Sequence, residues 1–137
     1  MVVKSFWPGV ARYEKFFVFM GVDQDRDTAY GFFINSDPIT LAYRNPSIMD
    51  LQVEIPAMTY AYLFKPTPSY VNSFEYYDIP SGNLLEAIVS TPSRICDPAH
   101  LLPVHLDKVL AAVNRSPFLS ADQKDICLTP HSLAGLV

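Results

Sequence analysis

The sequence predicts a mainly β domain with an α-helical C-terminal part: a small antiparallel barrel or strongly bent sheet carrying one packed helix and a short terminal helix. Three observations carry this. Two aromatic-rich apolar runs, EKFFVFMGV and AYGFFIN, flank the acidic linker Asp23-Gln24-Asp25-Arg26-Asp27, the pattern of a β-hairpin. Pro38, Pro46, Pro56, Pro66 and Pro68 then punctuate a series of short apolar segments; proline cannot donate to a strand ladder and so marks corners. Beyond Ile79 the apolar spacing changes from two to three and four. No segment before Ile79 offers the helical crossover of a dozen or more residues that a parallel sheet requires.

Taken in order, the predicted strands are Tyr13 to Val22, Thr28 to Asn35, Ile39 to Tyr43, Leu51 to Ile55, Met58 to Phe64 and Tyr70 to Tyr77. The first two are apolar almost throughout, as expected of strands at the centre of a sheet covered on both faces or against a partner. Leu51, Val53 and Ile55 alternate with Gln52 and Glu54, the period of a strand with one wet face. Leu102 to Arg115 reads as a helix with Pro103 in its first turn and Ser116-Pro117 ending it. Ser120 with Gln123 forms a capping box that opens a short helix through Cys127. The expected organisation is a single domain over residues 1–137, with the β part in 11–79 and a connecting segment and helices in 80–137.

Composition bounds the function. Half of the 137 residues are hydrophobic, enough for a core, and the formal charge of −4 gives no general attraction to nucleic acid. Contact with RNA would therefore need a local basic cluster. The first residues are interrupted by Lys4, Arg12, Glu14 and Lys15, unlike a signal peptide, and no run approaches the ~20 apolar residues of a membrane span. A soluble, cytoplasmic protein with no membrane association is expected, consistent with two reduced cysteines. The aromatic load suggests that some of Phe16, Phe17, Phe19, Phe32 or Phe33 form an apolar patch against a partner, most simply in a homodimer.

Several chemical patterns fail on inspection. Asp23-x-Asp25-x-Asp27 mimics the start of a calcium loop, but Thr28 stands where the turn needs Gly and Ile34 where a bidentate Glu belongs, leaving a solvated hairpin loop. Cys96, Asp97, His100 and His105 do not make a metal site, because the two histidines are five apart with Pro103 between them. Cys96 and Cys127 have no zinc or redox spacing, and pairing either with a histidine requires proximity that spacing does not supply. No phosphate loop, dinucleotide fingerprint, nucleophile elbow or HExxH is present, and no cofactor is expected.

Polar groups at strand ends remain. Asn35, Ser36 and Asp37 close the second strand, and Ser69, Asn72 and Ser73 surround a later one. One reading is turn chemistry, since these side chains bond their own backbone. The other is a shallow polar site on the rim of the sheet, where Arg12, Lys15 or Lys65 neutralises a phosphate and a hydroxyl assists its transfer. Tyr13, Tyr30, Tyr70 and Tyr77 could stack bases there, or serve the core.

The order KFFVFMGV, GFFINS, a proline-punctuated strand series ending in FKPTPSYVNS, and the helix LLPVHLDKVLAAVNRSPFLSADQKDI resembles the PemK/MazF group of small toxins, from about Glu14 to Ile126. The resemblance implies an SH3-like β-barrel with a C-terminal helix, and cleavage of single-stranded RNA without a metal. It also implies an antitoxin or other protein partner and a cytoplasmic place in a toxin–antitoxin or mobile-element system. The Lys/Arg-Arg-Pro opening of the family's catalytic strand is absent, and Glu14-Lys15-Phe16 stands there. Arg12 or Lys15 would then supply the charge and Ser36 the hydroxyl, with Asn35, Tyr70, Asn72 and Ser73 binding substrate. The alternative is a non-enzymatic phage or mobile-element inhibitor that acts by surface binding to a host protein, its acidic, Tyr-rich face imitating nucleic acid or covering a basic site.

Overall fold

The structure, a computed structural model, describes residues 1–7, 13–90 and 95–129. Among these residues six antiparallel strands form one sheet, β1 (Val2–Ser5), β2 (Lys15–Asp23), β3 (Thr28–Asn35), β4 (Gln52–Ile55), β5 (Ser69–Asn72) and β6 (Tyr77–Pro80). Among the described residues the α-helices are α1 (Pro46–Met49), α2 (Ser81–Ser90), α3 (Pro103–Arg115) and α4 (Ala121–Leu128). The mainly β architecture with helices toward the C-terminus matches the sequence. The sheet does not close into a barrel. Its path is β1-β2-β3-β5-β4, while β6 pairs with β3 as well.

The β2–β3 hairpin is the spine. Its linker is a turn in which the Asp23 carboxylate accepts from the backbone N–H of Asp25 (3.1 Å) and Arg26 (3.3 Å), and Asp27 takes a left-handed φ of 52°. The predicted solvated loop is therefore a self-bonded one. The far edge of β3 is shared: residues Thr28 to Gly31 pair with β6, and Ile34 and Asn35 pair with β5. This fork opens the sheet, so the outer strands β1 and β4 do not meet. Ile95 bridges to Val3 on the outer edge of β1 instead.

Side chains of β2 and β3 alternate between two cores, and a bulge between Phe19 and Gly21 shifts the alternation by one residue. On one face Val18, Met20, Phe32 and Ile34 pack with Val109, Val113 and Cys127 of α3 and α4. On the other, Phe17, Phe19, Phe33 and Trp7 pack with Ile79 and with Leu84 of α2. Burial on both faces explains the continuous apolar runs. Phe17, Phe19, Phe32 and Phe33 are thus consumed inside the chain, and only Phe16 of the predicted partner patch is half-buried. Gly31 is packed closely against β2. A Cβ there would collide with the Val18 carbonyl oxygen and stand 2.7 Å from the Phe17 ring.

Four sequence expectations are corrected. The segment expected as a strand from Ile39 to Tyr43 is a 3-10 turn over Thr40–Arg44, and that from Met58 to Phe64 holds one over Ala61–Leu63. Each buries a single residue, Ala42 or Leu63, too few to anchor a strand face. Of the strand read over Tyr70 to Tyr77 only Tyr70–Asn72 is extended, in β5; residues 73–76 leave the sheet, and β6 begins at Tyr77 and takes a different length of β3. Strand β1 and helix α2 carry no strong local signal, and α2 adds a second packed helix. The helical reading of 102–115 and the capping box hold: Leu102 is the N-cap of α3, and Ser120 and Gln123 exchange bonds of 3.2 and 2.9 Å at the start of α4.

Candidate functional site

Antiparallel pairing brings the first residue of β2 beside the last residue of β3, so Lys15 and Asn35 meet at one end of the spine. Lys15 Nζ donates to Asn35 Oδ1 at 3.0 Å and stands 5.4 Å from the centre of the Phe33 ring. The backbone of Lys15 is pinned too, because the Trp7 indole N–H donates to its carbonyl at 3.0 Å. A cleft of about 620 Å³ opens here, lined by residues 13–16 and 34–40, with Ser36 and Asp37 in its wall. It shares Phe16, Ile34, Asn35 and Ser36 with a smaller hollow of about 190 Å³, which Tyr62, Phe64, Lys65 and Ser69 complete.

The paired cavities carry two ammonium groups, Lys15 and Lys65, and two carboxylates, Glu14 and Asp37. Lys65 Nζ is held by neutral oxygens, Thr67 Oγ1 at 3.0 Å and the Pro68 carbonyl at 2.8 Å. Aromatic rings stand at the openings: Tyr13 is 66% exposed and Phe64 67%. Aromatic faces, ammonium groups, a carboxamide and a hydroxyl around one concave surface can hold a polar, unsaturated ligand by stacking and by charge-assisted hydrogen bonds.

No family model, curated protein or solved structure matches the chain.

Of the site residues expected from sequence, the fold brings Lys15, Asn35 and Ser36 together. Tyr70 lies beside them, paired in register with Asn35, and its hydroxyl donates to Glu54 at 3.4 Å. Asn72 and Ser73 do not line the cleft. Asn72 is 1% exposed and bonded to Gln52 and Glu75, and Ser73 is fully buried. Arg12 lies outside the described residues. Lys65, expected as a possible site cation, does line the hollow, and Phe64 beside it is the lining residue that the sequence did not single out.

Other chemistry is weak. Among the described residues no group of three or more His, Cys, Asp or Glu could hold a metal ion. His105, 4% exposed, faces the Tyr60 hydroxyl at 2.7 Å through Nδ1. That hydroxyl also accepts from the Leu102 N–H at 2.7 Å, and its own proton is placed to meet the unprotonated Nδ1 of a neutral His105. Burial first, then Lys108, lowers the His105 pKa and favours this neutral form. Burial pushes the thiols up, Cys96 to about 11 despite the opposing effect of Lys4, and Cys127 to about 12, which disfavours a reactive thiolate. A separate cavity of about 320 Å³ lies between the hairpin linker and α4, bordered by Asp23, Asp78 and Asp122 with the stacked rings of Tyr30 and Tyr76. No described helix is long and apolar enough to cross a membrane.

Proposed function

We propose that this is a toxin-like protein of the PemK/MazF kind that engages single-stranded RNA in the cleft beside Lys15 and acts on it as a metal-independent endoribonuclease in the cytoplasm. The observation that carries the reading is the juxtaposition of Lys15 Nζ, Asn35 and Ser36 in a concave site flanked by exposed aromatic rings and extended toward Lys65. Tyr13 and Phe64 would stack bases, and the lysines would meet phosphates. Lys15 would stabilise the charge that develops on the attacked phosphate, and Ser36 would orient it or exchange a proton. An antitoxin or a second copy would cover the exposed Tyr13 and Phe64 rim, since the hairpin phenylalanines are spent on the core.

A second reading has its own support. Glu14 and Asp37 share the cleft with the lysines, so its formal charge balances, and Tyr13, Tyr43 and Phe64 are exposed. A non-enzymatic inhibitor that binds a host protein would use such a Tyr-rich mixed surface.

The test is binding and cleavage of a labelled single-stranded RNA by the purified protein. Wild type is expected to bind with an affinity that falls steeply with salt. Lys15→Ala should flatten the log–log slope by about 0.7, the share of one phosphate contact. Lys15→Ala with Ser36→Ala should lower cleavage about a hundredfold or more while the thermal transition stays cooperative. Wild type that neither binds nor cuts RNA but captures one host protein would establish the inhibitor reading.

A further inference from the structure

We infer that Gln52, an interior carboxamide outside the cleft, is a positioning residue that holds the cleft wall through a one-directional hydrogen-bond relay. This rests on the cleft proposed above as the functional site.

Gln52 is 7% exposed on β4 and pairs in register with Asn72 on β5. Burying two carboxamides side by side is costly compared with an apolar pair, unless every polar atom is used. They are used. The backbone N–H of Ile39, in the cleft wall, donates to Gln52 Oε1 at 3.3 Å. Gln52 Nε2 donates to Asn72 Oδ1 at 2.8 Å and reaches the Ile48 carbonyl at 3.5 Å. Asn72 Nδ2 then donates to Glu75 Oε2 at 3.3 Å, and the same oxygen accepts from the Tyr77 hydroxyl at 2.6 Å.

The direction of the relay follows from its ends. A backbone N–H can only donate, so Gln52 must turn its oxygen to Ile39 and its nitrogen to Asn72. Asn72 must then present oxygen to Gln52 and nitrogen to Glu75, whose carboxylate can only accept while ionised. No member can flip without placing two donors or two acceptors face to face. The wall around Ile39 needs such an anchor because Pro38 before it has no N–H. The relay ties this wall, which carries Ser36 and Asp37, to β4, β5 and the start of β6.

Amide hydrogen exchange on Gln52→Met, which keeps volume and removes both polar atoms, tests the relay without any ligand. Exchange at Ile39 is expected to speed up roughly tenfold, the size of one net hydrogen bond, while exchange at the core amide of Val18 is unchanged. Affinity for the RNA probe should fall with it, by a similar factor, with no change in the salt slope. Unchanged exchange at Ile39 in folded Gln52→Met overturns the proposal. So does faster exchange with undiminished RNA affinity. If Gln52→Met does not fold, Glu75→Leu at the half-exposed end of the relay decides, because it removes the last acceptor: faster exchange at Ile39 than in wild type supports the relay, and identical exchange refutes it. If wild type binds no RNA, the function proposed above fails, and exchange at Ile39 still reads the relay on its own.

Discussion

The two faces of the β2–β3 hairpin are built on opposite chemistry. Toward α2 the core is centred on an aromatic cluster set among aliphatic residues: Trp7 lies 5.2 Å from Phe17, and Phe17 lies 5.4 Å from Phe33, all at tilted angles. Its polar handle, the Trp7 N–H, points to the edge and holds the Lys15 backbone. Toward α3 and α4 the core is aliphatic and contains a buried polar junction, in which Tyr60 joins His105 to the Leu102 N–H. The first face depends on volume and the second on pairing, so the same hairpin should fail in different ways when each is disturbed.

The largest effect should come from the aromatic face. Phe17→Ala removes a fully buried ring between Trp7 and Phe33 and should cost about 3–5 kcal/mol in chemical denaturation. Trp7 would lose its packing partner, so the Lys15 cleft should loosen together with the core. A loss under about 1 kcal/mol would mean the face can collapse around the gap, and the contrast would weaken.

On the other face, Tyr60→Phe keeps the ring and deletes one oxygen. It leaves the Leu102 N–H and His105 Nδ1 without their partner, an expected cost of about 1–3 kcal/mol by the same measurement. This junction also makes stability depend on pH. The His105 pKa is lowered in the folded state, so the unfolded chain takes up the proton first as pH falls. The contribution of neutral His105 is complete above the ordinary value of 6.5 and is lost progressively as pH drops below it. His105→Gln, which cannot titrate, should flatten that part of the stability–pH curve.

The smallest effect lies at the rim of the same face. Ser120→Ala removes one half of the α4 capping box, a cost of about 1 kcal/mol. Because α4 covers β2 and buries Cys127, fraying should appear as faster reaction of Cys127 with a thiol reagent at unchanged pH. If labelling is not accelerated, Cys127 is protected by the core rather than by the helix start.

What was legible in the sequence was local. The hairpin, the α3 span and the capping box could be read because each depends on residues within a few positions of one another. The meeting of Lys15, Asn35 and Ser36 at one sheet end follows from the hairpin alone. The tertiary structure decided the rest. It turned two short apolar segments into 3-10 turns, since such runs have no period long enough to separate strand from turn. It ended the strand read over Tyr70 to Tyr77 at Asn72, because the chain leaves β5 there and returns along another length of β3 only from Tyr77. It placed Gln52 and Asn72 inside, where β4 and β5 align, although the alternation of Gln52 with Val53 reads as a wet face. A polar side chain looks the same in sequence whether it meets water or a partner from a distant strand, and only the pairing of those strands determines which.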